Sequence, residues 1–275
     1  MSEPMTAAEA NRQFYAKYAT TYDEDECCAT GTRERDWLRG RLRLALSHLP
    51  NRPLRALDAG GGTGNGASIL VELGIEPVVL DISPEMLARW RAKRAATGSE
   101  AITVNEPIEH FLVRDDTSWD FVLFSSVLHH LEDPAEALRL AAARLAPGGL
   151  ILTVQDPLPA DRLSRLIRRL DWGTYAMFHY RWALLASMIA KLRRTLPGGS
   201  DAVHIGRLAE RHALEGLDID PLARALRLAG LEIVQVDLQA SARYQAIRAA
   251  LRVLRRNSNF SIIARRPISP IREVD

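Results

Sequence analysis

A glycine-rich loop between two aspartates carries the clearest chemical signal in the sequence. The run LDAGGGTGNG occupies residues 57–66, with Asp58 just before its glycines, and Asp81 follows further along the chain. Glycines such as Gly60 and Gly62 permit a tight turn with positive φ and let a ligand approach the backbone closely. Because the turn after the first strand is the usual ligand site of an open α/β sheet, the loop predicts cofactor binding.

The loop fits two different cofactors. Gly62, Gly64 and Ala67 satisfy the G-x-G-x-x-A dinucleotide pattern, with Asp81 at about the expected distance. Asp58 argues against a dinucleotide, because its carboxylate would lie beside the anionic pyrophosphate. S-adenosylmethionine (SAM) instead carries a sulfonium and an ammonium group, and both attract a carboxylate. We therefore favour SAM, with a turn cap as the alternative role of Asp58 and a nicotinamide-dependent reductase as the alternative function.

Two histidines and an aspartate follow predicted strand ends, where parallel sheets place their active sites. Histidine has a pKa suited to a general base at neutral pH. We interpret His129 and His130 first as positioning residues, and we expect His129 to be the one that faces the cleft and the catalytic candidate. Two interpretations of Asp156 are equally well supported by the sequence. One is that it orients or deprotonates an acceptor, and the other is that it is a loop residue before Pro157.

These residues need a parallel sheet to bring them together. Short apolar runs alternate with helical patterns, and Ser83–Pro84 and Asp133–Pro134 each place a capping residue before a proline that opens a helix. This rhythm predicts a doubly wound, mostly parallel, seven-stranded α/β sheet. The predicted strands are residues 54–58, 77–80, 101–104, 120–125, 149–154, 231–236 and 260–264.

The rhythm breaks after the fifth strand, where a stretch of helical, aromatic-rich sequence follows. We interpret this stretch first as a lid over an apolar or aromatic acceptor, second as a contact between copies in a homo-oligomer, and third as a membrane-surface helix. The expected divisions are an N-terminal helical lid segment, a cofactor-binding core, the helical insertion, the C-terminal part of the core and a tail, at residues 1–50, 51–156, 157–215, 216–265 and 266–275.

Bulk composition argues against several other classes of protein. The chain has 275 residues and a net charge of +2, with basic and acidic residues interleaved, so no nucleic-acid partner is expected. Cys27 and Cys28 are adjacent, and such neighbours rarely pair, so we expect reduced thiols, no metal site and a cytoplasmic location. No signal peptide and no run of about 20 apolar residues is recognisable, so no integral membrane segment is expected.

Five segments together indicate a protein family more specifically than the glycine-rich loop does alone. They occur in the order FYAKYATTYD, LDAGGGTGNG, VVLDISPEML, WDFVLFSSVLHHLEDP and LAPGGLIL, at residues 14–23, 57–66, 78–87, 119–134 and 145–152. In these segments the chain resembles class I SAM-dependent methyltransferases of the small-molecule type, such as those of ubiquinone and menaquinone biosynthesis. The resemblance is good over residues 10–156 and loose over 216–265, and it implies a Rossmann-like fold.

The resemblance implies a role for each matching position around SAM. Asp81 would accept hydrogen bonds from both ribose hydroxyls, since a carboxylate suits a pair of donors. Ile82 and Met86 would pack near the adenine. Glu106, with Asn105 as the alternative, would hold the adenine amino group, although the family usually has Asp at this position.

The remaining implied contacts lie around the methionine part of SAM. Ser125 and Val127 would contact it through the segment that follows the fourth strand, and Tyr22 would close over it from the N-terminal segment. The implied reaction is an in-line displacement that moves a methyl group to a small acceptor. SAM-dependent chemistry other than methyl transfer, and a SAM-binding module without catalysis, remain alternatives.

Overall fold

The computed structural model describes residues 6–25, 32–159, 165–167, 169–170, 215–241 and 245–268. The strands of the described residues are β1 Ala56–Ala59, β2 Pro77–Asp81, β3 Ile102–Asn105, β4 Trp119–Ser125, β5 Leu145–Pro157, β6 Glu232–Gln239 and β7 Asn259–Arg265. The helices are α1 Ala7–Tyr18, α2 Tyr22–Asp25, α3 Thr32–Leu46, α4 Asn65–Glu72, α5 Pro84–Ala95, α6 Ile108–Arg114, α7 Pro134–Ala143, α8 Ile219–Leu228 and α9 Gln245–Val253.

The strands form one sheet in the order β3-β2-β1-β4-β5-β7-β6. The first five strands pair in parallel, and β7 runs antiparallel between β5 and β6. This confirms the prediction of a seven-stranded, mostly parallel sheet. The chain runs outward from β1 through β2 to β3 and then returns to β4 on the other side of β1. The loops after β1 and β4 therefore diverge and leave a crevice at the carboxyl edge, where ligands bind in such folds.

Apolar side chains on both faces of the sheet hold it between two helical layers. Phe121 and Leu123 of β4 pack on one side, in a cluster with Leu38 of α3. Val122 and Phe124 pack on the other side, against α6, α7 and α8. Each fully buried side chain of this size contributes about 1.5–3 kcal/mol, so strand β4, which is buried on both faces, is a rigid support for the residues at its end.

Helix starts follow the local signals in the sequence. Thr6 and Glu9 form a capping box at α1. Ser83 caps α5 by accepting a hydrogen bond from the amide of Met86, and Asp133 caps α7 in the same way. Helix α8 begins after Asp218, whose side chain accepts a hydrogen bond from the amide of Asp220.

Strand β5 is longer than expected at both ends, which corrects two predictions. The predicted strand begins at residue 149, but β5 begins at Leu145, and the segment Pro147-Gly148-Gly149 is a bulge within it. Gly148 has a φ of 80°, and the pairing with β4 shifts over this segment. At the other end, Asp156 lies inside the strand and opposite Phe260 of β7, not in a loop beyond it.

Most of the predicted insertion, residues 157–215, lies outside the described residues. So do the aromatic residues expected to form the acceptor lid, Trp172, Tyr175, Phe178, Tyr180 and Trp182. The lid and its two alternatives therefore stay predictions. In the described part of the chain, no helix is long and apolar enough to cross a membrane.

Candidate functional site

A cavity of about 560 Å³ opens at the carboxyl edge of the sheet, between the loops after β1, β2 and β4 and helix α1. Its volume is in the range of small-molecule sites. Most of the residues that the sequence assigns to the cofactor line this cavity, namely Tyr22, Asp58, Gly60, Gly62, Asp81, Ile82, Met86, Ser125 and Val127.

The glycine loop is shaped so that larger residues would not fit. The amides of Gly60 and Gly61 both donate to the carbonyl of Leu80, at 2.8 and 3.1 Å, and this folds the loop back over β2. Gly60 has a φ of 74°, and a Cβ there would lie 2.3 Å from Cγ2 of Val127. The loop therefore stays close to the segment after β4, and its bare backbone forms one wall of the cavity.

Asp58 is the most unusual group in the cavity wall. It is fully buried, and within the described residues neither of its carboxylate oxygens has a hydrogen-bond partner. Burial raises the pKa of Asp58 to about 7, repulsion from Asp81 adds to the rise, and the nearby amide of Ala67 opposes part of it. A buried carboxylate without partners is costly, so the wall has a carboxylate that a cationic ligand group would stabilise.

Asp81 is held in place by two backbone amides. Its Oδ2 accepts from Gly62 at 2.9 Å and its Oδ1 accepts from Ser83 at 2.8 Å. Burial raises the pKa of Asp81 to about 6, against the lowering effect of these two amides. Each carboxylate oxygen can accept two hydrogen bonds, so both keep a free acceptor position for a ligand with two donors.

Glu106 does not line the cavity, contrary to expectation. Its carboxylate forms an ion pair with Arg114, at the end of α6, and this partner holds the pKa of Glu106 below its usual range. The wall next to β3 is formed instead by the residues that follow, Pro107, Ile108, Glu109 and His110. Asn105, the alternative, donates from its side chain to the backbone carbonyl of Asp81 at 2.9 Å, so it joins β3 to β2.

The two histidines have the opposite orientations to those expected. His130 lines the cavity, whereas His129 does not and is only 7% exposed. Nδ1 of His129 lies 2.8 Å from Oδ1 of Asp156, and the same oxygen accepts from the His129 amide at 3.2 Å. Residues Leu128–His130 form a turn of 3₁₀ helix, in which neighbours point about a third of a turn apart. His129 therefore points to β5 and His130 into the cavity.

Asp156 also lies outside the cavity lining, fully buried beneath it. Its Oδ1 contacts His129, and its Oδ2 has no hydrogen-bond partner among the described residues. Asp156 therefore does not face the cavity in which an acceptor is expected. The pair links the end of β5 to the turn after β4 and fixes the backbone on which His130 stands.

The N-terminal helices close one side of the cavity. The hydroxyl of Tyr15 lies 2.9 Å from Nε2 of His130, and the side-chain amide of Asn11 donates to the His130 carbonyl at 2.8 Å. Helix α2 is attached to the core through Asp23, which accepts from the hydroxyl of Thr63 at 2.6 Å and pairs with Lys93 at 2.7 Å. These contacts hold α1 and α2 against the loops that carry the site.

Asn11 and Gln155 are among the residues of the cavity wall that sequence reasoning missed. Asn11 precedes Tyr15 by one helical turn, so it shares the inward face of α1, which is a signal that the sequence contained. Gln155 follows the predicted end of β5 without any motif. Its backbone φ of 65° depends on a bulge that only the pairing with β7 reveals.

Comparison with known proteins gives a consistent family. A family model described as a methyltransferase domain matches residues 30–236. The tRNA 5-carboxymethoxyuridine methyltransferase of Escherichia coli (strain K12) is 33% identical over 115 residues, which are 40% of this chain and 43% of that protein. The ubiquinone biosynthesis O-methyltransferase of Caulobacter sp. (strain K31) is 30% identical over 152 residues, 54% of this chain and 60% of that protein. The chain thus spans about half the length of the curated relatives it matches.

Solved structures share the fold over almost the whole chain. Magnesium protoporphyrin IX methyltransferase from Synechocystis PCC 6803, with bound S-adenosylhomocysteine (SAH), has a TM-score of 0.56 at 14% identity, covering 93% of this chain and 95% of that one. The cyclase SpnF has a TM-score of 0.62 at 15% identity, covering 96% and 98%. At these identities the likeness supports the fold alone.

Proposed function

Because this chain belongs to the class I SAM-dependent methyltransferases, we propose that it moves the methyl group of SAM to a small apolar or aromatic acceptor by in-line displacement. SAM supplies a methyl carbon activated by a positively charged sulfur. Asp58 is the observation that carries the proposal. Its buried, unpartnered carboxylate faces the cavity and is best neutralised by the ammonium and sulfonium charges that SAM carries and that a dinucleotide pyrophosphate lacks.

The other loop residues then have separable roles. Asp81, oriented by the amides of Gly62 and Ser83, accepts hydrogen bonds from the ribose hydroxyls. The bare backbone at Gly60 and Gly62 allows close approach of the ligand. The other proposed contacts are Ile82 and Met86 with the adenine, and Ser125, Val127 and Tyr22 with the methionine part. No ligand contact is assigned to Glu106.

His130 is the proposed proton acceptor for substrates whose nucleophile must lose a proton. It is the histidine of the pair that lines the cavity, and its Nε2 is within hydrogen-bond distance of the Tyr15 hydroxyl. His129 and Asp156, expected to be catalytic, are proposed as positioning residues, because their mutual contact at 2.8 Å fixes the turn on which His130 stands. Methyl transfer otherwise depends on alignment and on exclusion of water, which α1 and α2 provide.

A small acceptor suits the site better than a nucleic acid. A cavity of about 560 Å³ holds the cofactor with limited further space. The charges of the chain are balanced, with a net value of +2, and a phosphate backbone usually requires a basic surface. The name of the ubiquinone biosynthesis relative agrees with a small acceptor, whereas that of the tRNA relative keeps a nucleic-acid acceptor as the alternative.

Methyl-labelled SAM tests this proposal. Label should pass to an aromatic acceptor such as catechol, with one SAH formed for each methyl group transferred. The His130→Gln variant should transfer label about 10²- to 10⁴-fold more slowly, whereas its SAM affinity should change by no more than about fivefold, the effect expected from altering the contact with Tyr15. The control His48→Gln, outside the cavity lining, should behave as wild type. Conversion of an acceptor while the label stays on SAM would instead indicate SAM-dependent chemistry without methyl transfer.

A further inference from the structure

Gln155 occupies an exceptional position at the end of β5. The pairing with β7 passes from Val154–Ser261 directly to Asp156–Phe260, so Gln155 is the extra residue of a β-bulge. Its φ is 65°, in the left-handed region that non-glycine residues rarely adopt. The residue is 9% exposed and lines the cavity. The bulge therefore turns one glutamine out of the strand pattern and into the cavity.

Neighbouring contacts hold this strained backbone in place. Asn259 of β7 donates from its side chain to the Gln155 carbonyl at 3.0 Å. The amide of Ser126 donates to the carbonyl of Val154 at 2.8 Å, and Ser126 itself has a φ of 55° and lines the cavity. Two unusual backbone conformations thus meet at the ends of adjacent strands. Such outliers persist where surrounding structure enforces them, and they concentrate at ligand-binding sites.

The Gln155 amide has hydrogen-bonding capacity left for a ligand. Its Oε1 accepts from the hydroxyl of Ser125 at 3.4 Å. Within the described residues, nothing accepts a hydrogen bond from its Nε2, so both N–H groups are available to the cavity. A glutamine that only filled the bulge would gain nothing from a conformation that glycine adopts more easily.

We propose that Gln155 selects the methyl acceptor by donating a hydrogen bond from its side-chain amide to an oxygen of that acceptor. The inference rests on the proposed methyltransferase function and narrows it. The acceptor presents a hydroxyl, carbonyl or carboxylate oxygen to the end of β5, so oxygen-bearing aromatics bind better than their nitrogen analogues. Gln155 is a specificity residue, and His130 remains the group that takes a proton.

A matched pair of probes tests the proposal on the full chain loaded with SAH. Catechol and o-phenylenediamine have the same ring and differ in oxygen against nitrogen. By ligand-observed NMR titration, wild type should bind catechol about tenfold more tightly, because a donor left unpaired in a site is penalised. Gln155→Glu keeps an acceptor for Ser125 and removes both donors, so the preference should vanish or reverse. Gln13→Glu, on the exposed face of α1, should keep the wild-type preference.

Gln155→Gly separates the side chain from its backbone. It should also lose the preference, yet unfold at a temperature at least as high as wild type, because glycine adopts the positive φ more easily. The role of Gln155 would be overturned if wild type bound the two probes equally or bound neither, or if Gln155→Glu kept the preference. Binding of SAH in the same experiment would still support the proposed cofactor. Failure of wild type to bind SAH would instead overturn the proposed function itself.

Discussion

Replacing Asp58 with asparagine should make the protein more stable at high pH and poorer at binding SAM. The pKa of Asp58 is raised from 3.8 to about 7, because burial disfavours the ionised carboxylate. A carboxyl group whose pKa is higher in the folded than in the unfolded protein stabilises the fold most at pH values below the pKa of the unfolded state. This contribution is lost as the pH rises through the folded-state pKa of about 7. The asparagine side chain carries no charge to bury, so the variant escapes this loss.

The size of the effect follows from the titration range. Between pH 5 and about pH 7 the folded state keeps a proton that the unfolded state has released, and each pH unit corresponds to about 1.4 kcal/mol. Two units give about 3 kcal/mol of stability that wild type loses through Asp58 on going from pH 5 to pH 8. Groups far from Asp58 contribute about equally to both proteins, whereas Asp81 interacts with it, so the difference between variant and wild type reports the titration of this carboxylate pair.

Urea denaturation at pH 5 and pH 8 measures this difference. The stability of Asp58→Asn relative to wild type should rise by about 3 kcal/mol between the two pH values, and its SAM affinity at pH 8 should fall about 10- to 100-fold, as expected for a lost charged partner. A relative stability that is the same at both pH values would refute the buried, ionisable Asp58 described above. Unchanged SAM affinity would refute its proposed role.

Three further predictions concern proton release on SAM binding, the glycine loop and helix α1. SAM binding by wild type near pH 6.5 should release protons, because the cationic ligand favours ionised Asp58. Calorimetry in two buffers of different ionisation enthalpy measures this release. A binding enthalpy that does not depend on the buffer would contradict the prediction. Gly64→Ala should destabilise the fold by about 1–3 kcal/mol in urea denaturation, since its Cβ would lie 2.1 Å from the ring of Trp90 at a φ of 83°, whereas Gly40→Ala, with open space around it, should not. Tyr15→Phe removes the contact with His130 and should speed SAM dissociation about fivefold in stopped-flow measurements. An unchanged dissociation rate would show that this contact of α1 does not retain the cofactor.

Local rules made much of the site predictable. The helix caps, the proline-started helices and the glycine loop depend on residues close together in sequence, and Asp58 and Asp81, which the sequence assigned to the cofactor, both line the cavity. Their contacts with a cofactor stay predictions. The seven-stranded sheet followed from alternating apolar runs. These features needed no knowledge of distant contacts.

The predictions of site residues failed where contacts with residues distant in sequence, or the local backbone geometry, determine which side chain faces the cavity. Glu106 has a suitable side chain for the adenine, but Arg114 at the end of the next helix pairs with it. The sequence could not tell which histidine of the doublet faces the cavity, because the 3₁₀ turn and the contact with Asp156 set that orientation. Gln155 was missed because its bulge depends on pairing with β7, which follows about a hundred residues later in the chain.

The helix Gln245–Val253 was also missed, although its pattern was visible. Ile247 and Leu251 are one turn apart and pack in a small cluster with Ala240, while the buried Arg248 pairs with Glu34 of α3 at 2.6 Å. A short amphipathic segment between two strands is easily taken for a loop, because its partner, α3, lies far away in the sequence.

Calorimetric titration of wild type and Asp81→Ala, side by side, with SAM, SAH, NADH and NADPH distinguishes a SAM site from a dinucleotide site. Wild type should bind SAM and SAH and neither nicotinamide nucleotide. Asp81→Ala should bind SAM and SAH at least about tenfold more weakly, because it loses the proposed acceptor for two ribose hydroxyls. Binding of a nicotinamide nucleotide in place of SAM would refute the proposed SAM site and make the glycine loop a dinucleotide site.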